Sequence, residues 1–233
     1  MPVITFNGHV GAGGNEIGQM VAQMLSLDYV DRLIFAEAAK LVKSPVGALI
    51  DKEQKVVRFR ERLARFLQTM LERSAISGAS GEPYFGRGVE MLPAETYPEL
   101  AGDPNSAGQA LNDKAYIEAT GAVIKDLARA GNVVIIGRGA NMILGHAPGV
   151  IHVGVLAPKE TRIQIIIQRE HLDRAQAEAY VDEMEQARVA YFRKFFKVNV
   201  YDPTLYHMML NMGKMSVKTA AEIVVHAVGD LPA

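Results

Sequence analysis

Apolar positions divide the chain into short continuous runs and longer stretches with helical spacing. The continuous runs cover residues 3–6, 133–136 and 150–155, and they predict strands of a parallel sheet covered on both faces. Elsewhere apolar residues recur every three or four positions, which predicts amphipathic helices. We predict helices over residues 16–25, 115–130, 158–168, 178–196 and 216–228. This alternation favours an α/β fold with a doubly wound parallel sheet, whose ligand site lies at the carboxyl ends of the strands.

Weaker patterns mark three further elements and two helix ends. Residues 27–32 and 206–210 are short mixed runs that we predict as strands, and residues 33–42 have helical spacing. Gly131 follows the 115–130 helix in a position suited to a C-cap, and Ser216 precedes the last helix as a candidate N-cap.

Residues 44–112 interrupt the alternation. A charged amphipathic stretch over residues 51–77 predicts one long helix, and the residues after it, rich in Gly, Pro, Ser and Glu, show no sustained period. We therefore predict a core of residues 1–43 and 113–233, with a helical and loop insertion at 44–112. The insertion either binds an acceptor or mediates oligomerisation, and a homodimer through its long helix is a hypothesis beside packing of that helix on its own core.

Composition mainly excludes functions. Lys plus Arg number 25 against 26 Asp plus Glu, so the overall charge gives no support for a nucleic-acid or anionic-membrane partner. Cysteine is absent, which excludes disulfide bonds and thiolate metal sites. No apolar run approaches the ~18 residues of a membrane span. We expect a cytoplasmic protein that binds neither nucleic acid nor membrane.

Glycines crowd the stretch from the end of the first strand into the first helix, where five of them fall within eleven residues. Glycine reaches positive φ and lets backbone N–H groups approach an anion, and the next helix adds free N–H groups of positive polarity. We predict a phosphate-binding loop. Its contacts come from Gly8, His9, Gly11, Ala12, Gly13, Gly14, Asn15 and Glu16.

Two known loop chemistries compete for this segment. The dinucleotide fingerprint G-x-G-x-x-G requires a third glycine where the chain has Glu16. The P-loop pattern G-x-x-x-x-G-K-[ST] fits the spacing of Gly8 and Gly13, but Gly14 stands in the place of its lysine and Asn15 in that of its Mg²⁺-binding hydroxyl. A turn that serves only strand–helix packing is a third interpretation. The spacing favours a P-loop that keeps its backbone cradle and lacks two side-chain functions.

Four short segments of the chain form a recognisable series. They read G-A-G-G-N-E-I-G at residues 11–18, Y-V-D-R at 29–32, V-I-I-G-R-G-A at 134–140 and D-P-T-L-Y-H-M-M-L-N at 202–211. The set resembles the cytidylate kinase-like family, a branch of the P-loop nucleoside monophosphate kinases in which the loop lysine is commonly missing. The resemblance implies a three-layer P-loop kinase fold, ATP and Mg²⁺ as cofactors, and a nucleoside monophosphate, CMP or dCMP, as acceptor.

Phosphoryl transfer needs positive charge around the transferred group, and the glycine-rich loop offers none. Arg138 follows a buried strand at the edge of the predicted crevice. Arg188 and Arg193 lie in the region of about 170–203, where monophosphate kinases place a lid. We predict all three as catalytic. An ion pair for Arg138, or a solvated helix face for the other two, is the structural alternative.

The acceptor site follows from the resemblance, which implies Asp31 and Arg32 beside the acceptor, with Arg138 also holding it. An aspartate can order a hydroxyl or amino group, and an arginine can fork onto a phosphate. Capping of a strand-to-helix connection by Asp31 is the structural alternative. Arg162 and Arg169, seven residues apart on one helical face, are further cationic candidates.

No metal site is predicted from side-chain spacing. The six histidines show no ligand pattern, and His152 alternates within an apolar strand, which is typical of a satisfied core residue. Magnesium would bind mostly through nucleotide phosphates and water.

Departures from the family pattern keep other functions open. Members usually carry arginines where this chain has Gly8 and Asn15, and an aromatic residue where it has Val10. We interpret the chain first as an ATP-dependent phosphotransferase acting on a nucleoside monophosphate. A nucleotide-binding regulatory or scaffold protein that has lost the chemistry is the alternative, and a kinase for a non-nucleotide small molecule is the third.

Overall fold

Five strands form one sheet in the part of the chain that a computed structural model describes, residues 1–31 and 107–230. The strands are β1 (Val3–Gly8), β2 (Asp28–Val30), β3 (Val133–Ile136), β4 (Val150–Leu156) and β5 (Met208–Asn211). Their order across the sheet is β2-β3-β1-β4-β5, and β1 pairs in parallel with both β3 and β4, as β4 does with β5. The predicted doubly wound parallel sheet is confirmed.

Helices connect these strands. In the described ranges they are α1 (Gly14–Leu25), α2 (Ala107–Ala130), α3 (Ala140–Ile143), α4 (Lys159–Glu170), α5 (Arg174–Phe196) and α6 (Val217–Gly229), with a 3₁₀ turn at Pro203–Leu205. The five helices predicted there from apolar spacing are all present. The short helix α3 has no predicted counterpart, because a single turn is too short to show an apolar period.

Helix boundaries differ from the predicted ones where capping decides them. Helix α5 begins at Arg174 instead of residue 178, because Asp173 accepts a hydrogen bond from the Gln176 N–H at 2.8 Å and the Gln176 side chain accepts one from the Asp173 N–H at 3.1 Å. Pro158 precedes α4 as its N-cap rather than forming its first residue. Helix α2 begins at Ala107 rather than residue 115, in a stretch whose Ala, Gln and Leu residues favour helix without a sustained apolar period.

Strand boundaries differ where a neighbouring turn uses the backbone. The Leu27 N–H donates to the Ala22 carbonyl at the end of α1, so β2 begins only at Asp28 and not at residue 27. The Tyr206 N–H donates to the Pro203 carbonyl, which closes the 3₁₀ turn and moves the start of β5 from residue 206 to 208. A hydrogen bond that belongs to a turn is invisible in the apolar pattern.

Both predicted helix caps are confirmed. Gly131 has φ 67°, in the left-handed region that glycine tolerates, and its N–H donates to the Leu127 and Ala128 carbonyls. Ser216 accepts a hydrogen bond from the Thr219 N–H at 3.1 Å at the start of α6.

The sheet is covered on both faces. The connection β1–β2 contains α1, and the connection β4–β5, which contains α4 and α5, runs across the sheet in the opposite direction. Because parallel crossovers are right-handed, these helices lie on opposite faces. Helix α6 packs beside α1, and α4 packs against α5. The buried cluster on the α1 side comprises, among others, Ile4, Phe6, Ile17, Val21, Val134, Ile151, Val153, Ala220, Ala221 and Val224.

The described residues fall into two compact units. Residues 1–29 and 127–230 belong to the first, whereas Val30, Asp31 and residues 107–126 belong to the second. The helices predicted at 33–42 and 51–77, and nearly all of the insertion predicted at 44–112, lie outside the described residues. No helix in the described ranges combines the length and apolar character needed to cross a membrane.

His152 is a buried core residue of β4, as its alternation in the sequence predicts. Its side chain is 3% exposed, and its Nδ1 atom lies 2.8 Å from the Thr5 hydroxyl oxygen of β1. Its backbone N–H donates to Nδ1 of His207 at 2.9 Å. Burial, followed by the proximity of His207, lowers the pKa of His152 to about 4.

Acid should destabilise the fold through His152. Its pKa of about 4 in the fold lies below the ordinary value of 6.5, so the unfolded chain binds the extra proton between these values and stability falls as the pH drops from 6.5 towards 4. We expect this residue to account for about 3 kcal/mol of that fall. In His152→Asn, whose amide can keep the contact with Thr5, most of the pH-dependent loss should disappear.

Urea unfolding across this pH range measures the effect. For each variant, the free energy of unfolding is compared with that variant's own value at neutral pH. His226→Asn is the matched control, because the His226 side chain is 85% exposed. An unchanged pH profile in His152→Asn would show that another group controls acid stability.

Candidate functional site

The glycine loop, residues 8–14, leaves the carboxyl end of the central strand β1. Gly11 has φ 78°, a left-handed value that disfavours a side chain. A Cβ atom on Gly8 would overlap the Val155 carbonyl of β4, and one on Gly11 would lie 2.9 Å from the Arg162 carbonyl oxygen of α4. Strand β4 and helix α4 therefore approach the loop so closely that only backbone fits between them.

Some N–H groups of the loop bond to backbone carbonyls, whereas others have no protein acceptor. The His9 N–H donates to β4 at 2.8 Å and the Ala12 N–H to the His9 carbonyl at 3.0 Å, so these two hold the loop in shape. Within residues 1–31 and 107–230, the N–H groups of Gly13, Gly14 and Asn15 find no protein acceptor, and the left-handed N-cap Gly13 provides no side-chain cap. Free donors at a helix start favour an anion.

The loop after β3 carries Arg138 in an unusual backbone conformation. Gly137, Arg138 and Gly139 have φ of 71°, 56° and 69°, three consecutive left-handed residues. A non-glycine residue there costs roughly 1–2 kcal/mol, so surrounding contacts must hold it. The Tyr191 hydroxyl donates to the Arg138 carbonyl at 3.4 Å, and a Cβ atom on Gly139 would lie 2.5 Å from the Phe196 ring. The end of α5 thus holds this loop in place.

A carboxylate on α5 reaches the glycine loop. Glu185 accepts a hydrogen bond from the Val10 N–H at 2.8 Å through one oxygen, and from the Arg188 guanidinium at 2.6 Å and the Tyr201 hydroxyl at 2.8 Å through the other. The Arg162 guanidinium of α4 lies 3.6 Å from the first oxygen. We call these five residues the Glu185 cluster. It joins the loop, both helices of the pair and the segment after α5.

The Glu185 cluster has a net positive charge, with two guanidinium groups and one carboxylate. Burial opposes ionisation of Glu185, but the charge and hydrogen bond of Arg188, with hydrogen bonds from Val10 and Tyr201, outweigh it and lower its pKa. Burial and the hydrogen bond to Glu185 raise the pKa of Tyr201.

His9 supplies no charge to the glycine loop at neutral pH. Burial, as the largest influence, lowers its pKa below the ordinary 6.5. Its ring packs edge-on against Tyr201 with centroids 5.4 Å apart. Among the described residues, Arg162 and Arg188 are cations that reach the loop through Glu185.

The structure brings several predicted residues together. The glycine loop and Arg188, which is 2% exposed, meet through Glu185. Arg138, 6% exposed, follows β3, the parallel neighbour of β1, and so leaves the same edge of the sheet. Arg162, a weaker candidate in the sequence, belongs to the cluster.

Other predicted residues lie elsewhere. Arg193 is exposed on α5. Arg169 lies 3.8 Å from Glu16 and is hydrogen-bonded to Glu170 at 2.8 Å, rather than facing the cluster. Asp31 belongs to the second compact unit, and Arg32 lies outside the described residues. Their predicted roles stay predictions.

Sequence reasoning missed Glu185, Tyr201 and the Val10 N–H. A signal existed for the first, because residues three apart on a helix share a face and Glu185 precedes Arg188 by three. Tyr201 lies after α5 and had no periodic or motif signal. A backbone donor such as that of Val10 has no sequence signature at all.

The architecture and the glycine loop define the class. A central parallel strand that ends in a glycine loop and opens a helix with free N–H groups, in a doubly wound sheet, is a P-loop fold. The chain belongs to the cytidylate kinase-like family, whose model matches residues 3–214.

Individual relatives are distant. The chain is 25% identical over 121 residues to a cytidylate kinase of Methanoregula boonei, a match that covers 51% of this chain and 65% of that protein. An uncharacterized protein from Eubacterium ventriosum has a similar fold, with a TM-score of 0.59 and 16% identity over 99% of both chains. A shikimate kinase from Acinetobacter baumannii, solved with shikimate, has a TM-score of 0.46 and 13% identity over 98% of this chain and 93% of that one.

Glycine at position 8 should be indispensable, whereas glycine at position 14 should not. A Cβ on Gly8 would meet backbone that cannot move, while one on Gly14 would meet only the Val155 side chain at 4.0 Å. We expect Gly8→Ala to lower the free energy of unfolding by about 2 kcal/mol or more. Gly14→Ala should change it by less than about 1 kcal/mol. Urea denaturation compares the pair, and equal effects would contradict the close strand approach.

Proposed function

We propose that the protein transfers the γ-phosphoryl group of ATP to a nucleoside monophosphate, with CMP or dCMP preferred. The observation that carries the proposal is the meeting of a glycine loop that has free N–H groups with the partly buried Arg162 of α4 and the buried Arg188 of α5. Membership of the cytidylate kinase-like family supports phosphotransfer, and the relative in Methanoregula boonei that is called a cytidylate kinase supports the choice of acceptor.

The glycine loop would hold the ATP phosphates through its backbone. The N–H groups of Gly13, Gly14 and Asn15 supply donors and the start of α1 supplies positive polarity. Because Gly14 replaces the loop lysine, side-chain charge must come from elsewhere, and Arg162 and Arg188 of the Glu185 cluster would supply it. Fixed cations stabilise the charge that spreads over the transferred phosphoryl oxygens.

Acceptor binding is assigned to the neighbouring strand end. Arg138, held in its strained conformation beside the glycine loop, would fork onto the acceptor phosphate, with Asp31 and Arg32 contributing from the chain after β2. Arg193 would join Arg188 on closure of a lid at about residues 170–203.

Magnesium would enter with the nucleotide. Among the described residues no group of three or more His, Asp or Glu side chains could hold a metal ion. The ion would be bound mainly by phosphate oxygens and water. Asn15 could add an amide oxygen. The ion would neutralise charge on the β- and γ-phosphates.

One other function has specific support. Gly14 and Asn15 replace both side chains that a P-loop uses on phosphate and metal, which favours a nucleotide-binding regulatory or scaffold protein without turnover. Such a protein should bind nucleotide without needing Mg²⁺ or a second substrate.

Phosphorylation assays with ATP and Mg²⁺ separate these functions. We expect turnover on a panel of nucleoside monophosphates, fastest with CMP or dCMP. Calorimetric ATP binding without turnover on any acceptor would instead favour the regulatory function. Turnover only with sugars or hydroxy acids would show that the acceptor is not a nucleotide.

The planar shape of the Arg188 guanidinium should matter as well as its positive charge. Lysine keeps the charge but loses the planar fork, so Arg188→Lys should lower kcat/KM by about 10- to 100-fold, or about 1.4–2.7 kcal/mol. Arg174→Lys is the matched control on α5, since the Arg174 side chain is 59% exposed and bonds only to Glu160 on α4 among the contacts described. Similar losses of kcat/KM in both variants would argue against a direct role.

A further inference from the structure

The Glu185 carboxylate binds a part of the glycine loop that would face a ligand. Its Oε2 atom accepts the Val10 N–H at 2.8 Å, although Glu185 lies on α5, 175 positions along the chain. Under the proposed function, backbone N–H groups of this loop bind phosphate oxygens. A carboxylate oxygen is a similar acceptor with a similar charge, so it can occupy the same kind of position.

Donors outnumber acceptors around this carboxylate. Its two oxygens serve Val10, Arg188 and Tyr201, and Arg162 approaches only to 3.6 Å. In the described part of the chain, the Nε and Nη1 atoms of Arg162 are buried without a hydrogen-bond acceptor. A buried donor without an acceptor costs about 1–3 kcal/mol. The cluster is therefore incompletely satisfied by Glu185.

A phosphate group would satisfy the same donors better. It offers more oxygens than a carboxylate and carries up to two negative charges against two arginines, so it could also accept from Arg162. The cluster thus has the composition of an anion site that is partly filled by the chain itself.

We propose that Glu185 is an internal competitor for ligand phosphate, which holds Val10, Arg162 and Arg188 in the ligand-free protein and yields them when a nucleotide binds. The inference rests on the proposed function and concerns the regulation of that same site. Glu185 keeps the arginines arranged near the loop without ligand, and nucleotide affinity is lower by the free energy needed to displace it. Because Glu185 and Arg188 share α5, displacement couples phosphate binding to a change at that helix.

Glu185→Gln tests the competition. Glutamine has nearly the same shape and can still accept from Val10, but it removes the negative charge from between the two arginines. We expect inorganic tripolyphosphate and ATP to bind the variant about tenfold more tightly than wild type in calorimetric titrations. Glu183→Gln, which removes an exposed carboxylate two residues away on α5, is the matched control and should change affinity less than twofold.

A second readout uses the wild-type chain. In ¹⁵N–¹H spectra, the Val10 amide resonance should move when tripolyphosphate displaces Glu185, and Glu185→Gln should move it before any ligand is added. Unfolding midpoints of the three proteins show whether each is folded.

The outcomes distinguish failure of the proposed function from failure of the competition by Glu185. If neither wild type nor Glu185→Gln binds ATP or tripolyphosphate, the proposed function fails and the inference fails with it. If wild type binds ATP, Glu185→Gln binds it equally or more weakly, and tripolyphosphate leaves the Val10 resonance of wild type unmoved, only the competition is refuted. Tighter binding in Glu185→Gln with an unchanged Glu183→Gln supports it.

Discussion

Parallel pairing of β1 with β3 on one side and β4 on the other is the constraint on which the site depends. Phe6 lies opposite both Ile136 and Val153, so the three strands end at one edge of the sheet. The glycine loop, the Arg138 loop and the connection into α4 leave that edge side by side. The paired strand backbones thus set how far apart the three loops of the candidate site lie. The close approach of β4 to Gly8 follows from the pairing of β1 with β4.

Features with a signal in consecutive residues were predictable. The buried runs of β3 and β4, the glycine loop and the caps at Gly131 and Ser216 each depend on local chemistry, and all are present. The contact of Val10 with Glu185 depends on how α5 packs, which no local pattern encodes. The left-handed backbone of Arg138 was likewise hidden, because its flanking glycines indicate a turn without showing that the arginine shares their conformation.

Positive charge in this site is supplied by tertiary packing rather than by the loop. Gly14 brings no side chain, and burial keeps His9 neutral near pH 7. The arginines at positions 162 and 188 instead extend from two helices that pack together. A loop lysine would belong to the glycine loop itself, whereas these cations belong to two helices. The positive charge beside the loop therefore depends on how α4 and α5 pack.

The ring of Phe196, at the carboxyl end of α5, lies against Gly139, so this end of the helix is held beside the Arg138 loop. The helix has 23 residues, roughly 34 Å at 1.5 Å per residue, and Glu185 lies about 17 Å from that end. A rotation of α5 by about 10° around its carboxyl end would displace Glu185 by about 3 Å. This displacement is similar to the length of its hydrogen bond to Val10. The exposed ion pairs of Lys159 and Arg174 between α4 and α5 would resist such a rotation only weakly. The buried contacts between the two helices, formed by Ile163, Ile166, Ala177 and Val181, would resist it more strongly. Such a rotation would separate Glu185 from Val10, whereas the Arg138 loop lies beside the end of the helix that moves least.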